Sequence, residues 1–318
     1  MVNRHSWVVG LCLLAIIALA GCSGLGSVVP PPAPGLEFVF DRVIGTAGAG
    51  NGEFAAPSGV ATEATGAIYV ADAGNDRVQR LDGDGAFVFA IGGEGSGPGQ
   101  LRNPGGVTVS GSSLFVADTG NARVQVFTTD GGFVREFGSR WPEGGSLREP
   151  RAIAVGASAV AVADRQQHRI VVYDMAGAVV RTIGGLGTGN GEFLDLAGLA
   201  LSGTTLYAAD RDRNDVQVFN LSTGAYTETL GRIGSALGEL RGPTGLAMDG
   251  SDLWVLDNGN DRVQLLASTG AAQAVVRPGE TASGPLSGPL AVAPWREGFL
   301  IADTGNDRLV SFKPKPPG

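Results

Sequence analysis

Six aspartates recur along this 318-residue chain at nearly constant spacing. Asp72, Asp118, Asp164, Asp210, Asp257 and Asp303 lie 46, 46, 46, 47 and 46 residues apart. Carboxylates gathered from several repeats can run acid–base chemistry or give a Ca2+-type ion its oxygen ligands. In five of the repeats, however, an arginine follows five residues later: Arg77, Arg123, Arg169, Arg262 and Arg308. Each aspartate closes a short apolar run, where a carboxylate accepts N–H groups of the following turn and pairs with a nearby guanidinium. A set present in every repeat belongs to the fold, so function is expected where the repeats differ.

Little else in the chain is equipped for catalysis. His168 is the only histidine beyond the first 21 residues, the other being His5, and the only cysteines are Cys12 and Cys22. Sites built from several His ligands, or on a thiolate nucleophile, are therefore excluded. No Ser–His–Asp constellation and no metal-spaced motif is present. The stretches GAGNGEF (48–54) and GTGNGEF (187–193) precede strand patterns, whereas phosphate-cradling loops precede helices. No catalytic residue, cofactor or metal ligand is expected. An all-carboxylate Ca2+ site is the one metal option the composition leaves.

The departures cluster in the third and fourth repeats. Their turns read Asp164-Arg165-Gln166-Gln167-His168-Arg169 and Asp210-Arg211-Asp212-Arg213-Asn214-Asp215. Gln167 replaces the mid-turn asparagine of Asn75, Asn121, Asn260 and Asn306, a residue expected there for its tolerance of αL geometry. Asp215 stands where the other repeats have the paired arginine, and the loop into the third repeat carries Trp141. The position after the first-strand proline reads Ser58, Gly105, Arg151, Ala197, Thr244 and Leu290, with Arg151 its only charge. Trp141, Arg151, Gln167, His168, Arg211 and Arg213 are the candidate binding face, a Trp and Arg mixture suited to a protein or anionic glycan. Loop drift under weak constraint is the competing explanation.

These residues need a frame, and the period supplies one. Each repeat holds four strand signals: a first strand such as PSGVAT (57–62), an alternating strand ending in the aspartate, a third such as RVQVF, and a fourth such as FVREFG (133–138). Four short strands in about 45 residues are one blade of a β-propeller. With 52 glycines for tight turns and no helical periodicity beyond the leader, the chain is expected to be all-β. The sixth repeat lacks its fourth strand, and FDRVIG (40–45) matches the missing pattern. A ring of six blades closed by residues 36–45 is expected, with the first strands lining a central channel. Tyr69, Phe115, Tyr207, Trp254 and Phe299 fall at equivalent strand positions and are expected to pack between blades.

The pattern G-x-F/L-x-x-P-x-G-V-A, then V-A-D-x-x-N-x-R-V-Q-x-F, then G-x-F-x-x-x-G resembles the NHL repeat family over about 275 residues. The resemblance implies a six-bladed propeller whose loop face binds partners. Some similar propellers are lyases or lactonases with a channel metal. A Ca2+-dependent lyase or lactonase-like hydrolase is therefore the alternative to a non-catalytic recognition scaffold.

The N-terminus sets the expected location. Arg4 and the apolar run from Val8 to Leu19 form a short export signal, too brief for a spanning helix. It ends in Leu19-Ala20-Gly21-Cys22, which resembles a bacterial lipoprotein box and implies cleavage after residue 21 and lipidation of Cys22. The expected organisation is a signal peptide (1–21), a Pro/Gly-rich tether (22–35), the propeller (36–312) and a disordered tail (313–318). The chain would then sit at the cell envelope on the periplasmic or extracellular face, in the outer membrane if the cell is Gram-negative. Its net charge of −8 argues against nucleic acid as a partner. The expected partners are the membrane, through Cys22, and an envelope protein, peptide or glycan, met by a monomer.

Overall fold

The computed structural model describes residues 36–140 and 145–316. The expected signal peptide, Cys22, the whole tether and Trp141 lie outside those residues. The described chain forms six four-stranded antiparallel sheets, with one two-stranded parallel pair, Thr46–Ala47 and Glu53–Phe54, in a loop. The first complete blade runs Pro57–Thr62, Ile68–Asp72, Arg77–Leu81 and Phe87–Gly92, from the channel outward. The inner strands of the other blades are Val107–Ser110, Pro150–Val155, Leu196–Ser202, Pro243–Asp249 and Ala291–Trp295. The all-β six-bladed propeller read from the repeat is the fold.

The core is divided into six apolar clusters wedged between blades. Tyr69 packs with Leu114, Val116 and Phe127 of the next blade, and Trp254 packs with Phe299 and Phe312. The aromatic at each of the five equivalent positions is at most 5% exposed, as expected for residues that join blades. Each such side chain contributes roughly 1.5–3 kcal/mol by leaving water. Near the axis the inner strands approach too closely for side chains. A Cβ on Gly198 would lie 2.0 Å from the Thr244 carbonyl oxygen, and the Gly106 N–H donates to the Arg151 carbonyl at 2.7 Å.

The ring closes through the last blade, whose strand order is Phe38–Ile44, Arg308–Pro314, Gly298–Asp303, Ala291–Trp295. Phe40 pairs with Phe312 and Ile44 with Leu309, and Phe38 packs edge-on against Trp254 and Phe299 at 5.2 and 5.4 Å. The pairing slips between Phe40 and Arg42, so Asp41 is the extra residue of a bulge. Its carboxylate meets Lys313 at 2.8 Å and Arg42 at 2.9 Å. The closing strand thus runs on to Pro314, and the Lys315 N–H donates to the Glu37 carbonyl at 2.8 Å. The start of the segment expected to be disordered, residues 313–315, is instead part of the closure, because the N-terminal strand gives its backbone a partner.

The mid-turn asparagines also behave differently from expectation. The left-handed residue is the next one along: Asp76, Ala122, His168, Asn214, Asp261 and Asp307, at φ between 50° and 64°. The asparagine amides instead bind the repeat aspartate, as Asn75 does to both oxygens of Asp72.

Two outcomes test the closure. Deleting residues 36–45 should lower the melting temperature of the whole domain by ~10 °C or more, since a ~1 kcal/mol loss moves Tm by roughly 2–4 °C at this size. A scan that overlays the full chain would contradict it. The Lys313 hydrogen bond, with Arg42, outweighs burial and holds the Asp41 carboxyl below the ordinary aspartate value. Its contribution is present above that ordinary value and fades as pH falls through the lowered one. Asp41→Asn should therefore lose stability at neutral pH and show a flatter acid limb in a Tm-versus-pH series.

Candidate functional site

All six repeat aspartates are fully buried. Each carboxylate reaches back to the loop that leads into the inner strand of its own blade. Asp72 accepts the Ala55 N–H at 2.7 Å, Asp118 that of Arg102 at 2.8 Å, Asp257 that of Arg241 at 2.6 Å and Asp303 that of Ser287 at 2.7 Å. The arginine five residues on pairs with the aspartate at 2.7–2.8 Å in four blades and 3.3 Å in the third. Its outer nitrogens hold carbonyls of the lead-in loop, as Arg262 holds Ala236 and Glu239 at 2.7 Å each. Gln79, Gln125 and Gln264, also fully buried, donate to both the aspartate and the loop. The carboxylate ring is therefore a set of six separate clasps, its oxygens spent on protein donors.

Blades three and four are clasped by other means. Gln167 is one methylene longer than asparagine and makes no hydrogen bond to Asp164 among those the structure shows. Two backbone N–H groups, of Arg148 and Glu149, donate to Asp164 at 3.0 Å each. In blade four the Asp210 carboxylate accepts four backbone N–H groups, from Leu194, Asp195, Asp212 and Arg213, at 2.7–3.2 Å. Arg213, two positions early, pairs with Asp215 at 3.0 Å and holds the Gly189 carbonyl, the loop contact that the missing arginine would have made. Burial pushes the Asp215 carboxyl up despite that pair.

The candidate face accordingly divides. Gln167 and His168 are part of the turn, with His168 in the left-handed position, and Arg213 is a clasp residue only 10% exposed in its side chain. None of the three lines the channel. Arg151 and Arg211 do, and they are joined by three residues the sequence reading did not select: Arg165, Glu149 and Asp195. The missed signal was the position after each aspartate, which reads Ala73, Thr119, Arg165, Arg211, Asn258 and Thr304. At that position Thr119, Asn258 and Thr304 donate to the Pro150, Pro289 and Pro57 carbonyls of the next blade. A second missed signal was the residue before the proline position. It adopts positive φ as Ala56, Asn103, Gly242 and Gly288, but is Glu149 or Asp195 in the two irregular blades.

Arg151, Arg165, Asp195 and Arg211 line a cavity of about 200 Å3 at the channel end where the inner strands begin, and Glu149 pairs with two of them. That space holds on the order of a dozen waters at ~10–15 Å3 each. Asp195, 4% exposed, is gripped by Arg165 and by Arg211 at 2.5 Å. Glu149 meets Arg165 at 3.1 Å and Arg151 only at 3.8 Å. The Asp195 hydrogen bond raises the Arg165 pKa, whereas burial and then the neighbouring Arg165 charge push that of Arg151 down. Arg211 also meets Asp212 at 3.5 Å, so three guanidiniums face three carboxylates. The donors do not fit a Ca2+-type ion, because each of these carboxylates is engaged by an arginine. Among the described residues no three His, Cys, Asp or Glu side chains gather as a metal site.

The fold and its clasps define a six-bladed β-propeller carrying an NHL repeat. Residues 101–127 match the NHL repeat and residues 146–232 match a family described as a 6-bladed beta-propeller. No curated protein matches the sequence. Solved structures share the fold at low identity. A catalytically inactive virginiamycin B lyase from Staphylococcus aureus, crystallised with quinupristin, is 18% identical over 84% of this chain and 82% of that one, with a TM-score of 0.56. A protein of unknown function from Bacteroides thetaiotaomicron is 14% identical, with 88% and 76% covered and a TM-score of 0.65. A chain of a nidogen/laminin complex is 16% identical, with 77% and 84% covered and a TM-score of 0.57.

The two kinds of arginine should separate in denaturant titrations. Arg262→Met leaves the buried Asp257 without its guanidinium and should cost about 3–5 kcal/mol. Arg211→Met removes a half-exposed side chain and leaves Asp195 its Arg165 partner, so it should cost less, about 1–2 kcal/mol. Equal losses would contradict the division between clasp and face.

Proposed function

We propose that this protein is a non-catalytic recognition scaffold of the cell envelope, tethered by lipid on Cys22, that meets a protein, peptide or glycan with its channel-mouth face. One observation carries the reading. Arg151, Arg165 and Arg211, none of them part of a repeated clasp, gather with Glu149 and Asp195 at one end of the channel. A rigid ring that departs from its repeat there is built to present that departure. The fold likeness to a virginiamycin B lyase raises the alternative of a metal-dependent lyase or hydrolase. It loses support from the mouth itself, where arginines occupy the carboxylates a metal would need.

A photo-crosslinking residue placed at exposed Gln166, on the mouth face, tests the reading in the full chain in its own envelope. The same residue at exposed Ser112, in a hairpin on the opposite face, is the control. A discrete adduct from position 166, absent from position 112, is expected. No adduct, or the same products from both faces, would overturn it.

A further inference from the structure

The channel mouth holds one guanidinium, that of Arg151, which its own acids match only loosely, whereas Arg165 pairs with Glu149 and Asp195 and Arg211 with Asp195 and Asp212. Asp195 accepts a hydrogen bond from Arg165 and is ion-paired with Arg211, and Glu149 lies nearer to Arg165 than to Arg151. Among the described residues the only ion-pair contact of Arg151 is that 3.8 Å approach, and its side chain is 35% exposed to the cavity end of the channel. A guanidinium offers five N–H donors in a planar fork that matches a carboxylate two-to-two. Arg151 therefore holds donors without acceptors, in a cavity that burial makes less watery than the surface.

The rest of the mouth limits what those donors can take. The hydroxyls that could donate to a sugar have already given their protons to the neighbouring blade. Ser58 donates to the Pro104 carbonyl at 2.6 Å, Thr119 to Pro150 at 2.6 Å, Thr244 to Pro289 at 3.0 Å and Thr304 to Pro57 at 2.7 Å. The floor is apolar: Val60, Val107, Ile153, Leu199, Leu246 and Val292, one from each blade, line both this cavity and a second one of about 210 Å3 below it. They mark the boundary between the two. One loosely paired guanidinium suits a monoanion better than a dianion, and an aliphatic floor with Leu290 and Ala197 on the wall suits an apolar body.

We propose that Arg151 binds the carboxylate of a small ligand group with an apolar side chain, as the free C-terminal residue of a peptide presents it. The carboxylate meets the Arg151 fork at the rim and the side chain rests toward the aliphatic ring. Arg165 and Arg211, held by Glu149, Asp195 and Asp212, do not compete for the ligand. The proposal rests on the recognition reading and narrows it to one ligand chemistry.

Calorimetric titration of the full chain in detergent tests it, with N-acetyl-leucine, its amide and glucuronate as probes. N-acetyl-leucine should bind saturably and at least ~10-fold more tightly than the amide or glucuronate. Arg151→Gln should erase that preference without moving the melting temperature. Arg151→Lys, which keeps the charge but loses the planar fork, should retain part of it. Glu149→Gln removes the competing acid and should tighten N-acetyl-leucine binding several-fold. Equal binding of acid and amide, tighter binding of glucuronate, or an unchanged preference in Arg151→Gln would each overturn the proposal. If the mouth-face crosslink persists while N-acetyl-leucine fails to bind, the ligand class falls and the recognition reading stands. If the crosslink is also lost, both fall.

Discussion

The buried aspartate at the end of each second strand is the constraint on which this ring depends. A carboxylate with no exposure costs several kcal/mol to remove from water unless donors surround it. In every blade the donors come from two places at once: the turn or strand that follows the aspartate and the loop that leads into the inner strand. The requirement to satisfy one charge therefore fixes the distance between two loops far apart in sequence, and sets the inner strand at the channel. Six repetitions of that geometry, with aromatic and aliphatic side chains between the blades, leave the backbone near the axis little freedom.

The constraint is on donors, not on residue types, and blade four makes this plain. Its paired arginine is replaced by Asp215, yet the Asp210 carboxylate is surrounded by four backbone N–H groups and Arg213 supplies the loop contact from two positions upstream. Blade three does likewise with two lead-in N–H groups on Asp164. Relief from the standard side-chain set frees neighbouring positions, and those are where Glu149, Arg165, Asp195 and Arg211 stand. The irregular charge at the channel mouth and the irregular clasps are thus two sides of one local departure.

The architecture was legible because periodicity is a property of the whole chain. A 46-residue period with four alternating segments admits few folds, and the missing last strand pointed directly to residues 36–45. The clasp was half legible. Asp and Arg spacing marked a pair, but the αL role given to Asn75 and its equivalents belonged to the following residue, since a 3-10 turn places the asparagine amide over the carboxylate. The site was least legible, because it depends on which side chains of adjacent blades converge on an axis. Arg151 and Arg211 were reached by comparing repeats, whereas Gln167, His168 and Arg213 shared the irregular segments but turn away from the channel. Arg165 and its two acids required aligning the residue after each aspartate and the residue before each proline.

The claim that one buried carboxylate per blade couples each lead-in loop to the core is tested most directly by native-state hydrogen exchange. The amides of Ala55, Arg102, Glu149, Asp195, Arg241 and Ser287 each donate to such a carboxylate. All six should exchange only through global opening, with protection free energies within about 1 kcal/mol of one another and of the whole-domain stability. Any one of them opening several kcal/mol below the global value, while the strands stay protected, would show that the loop is held by something other than the clasp.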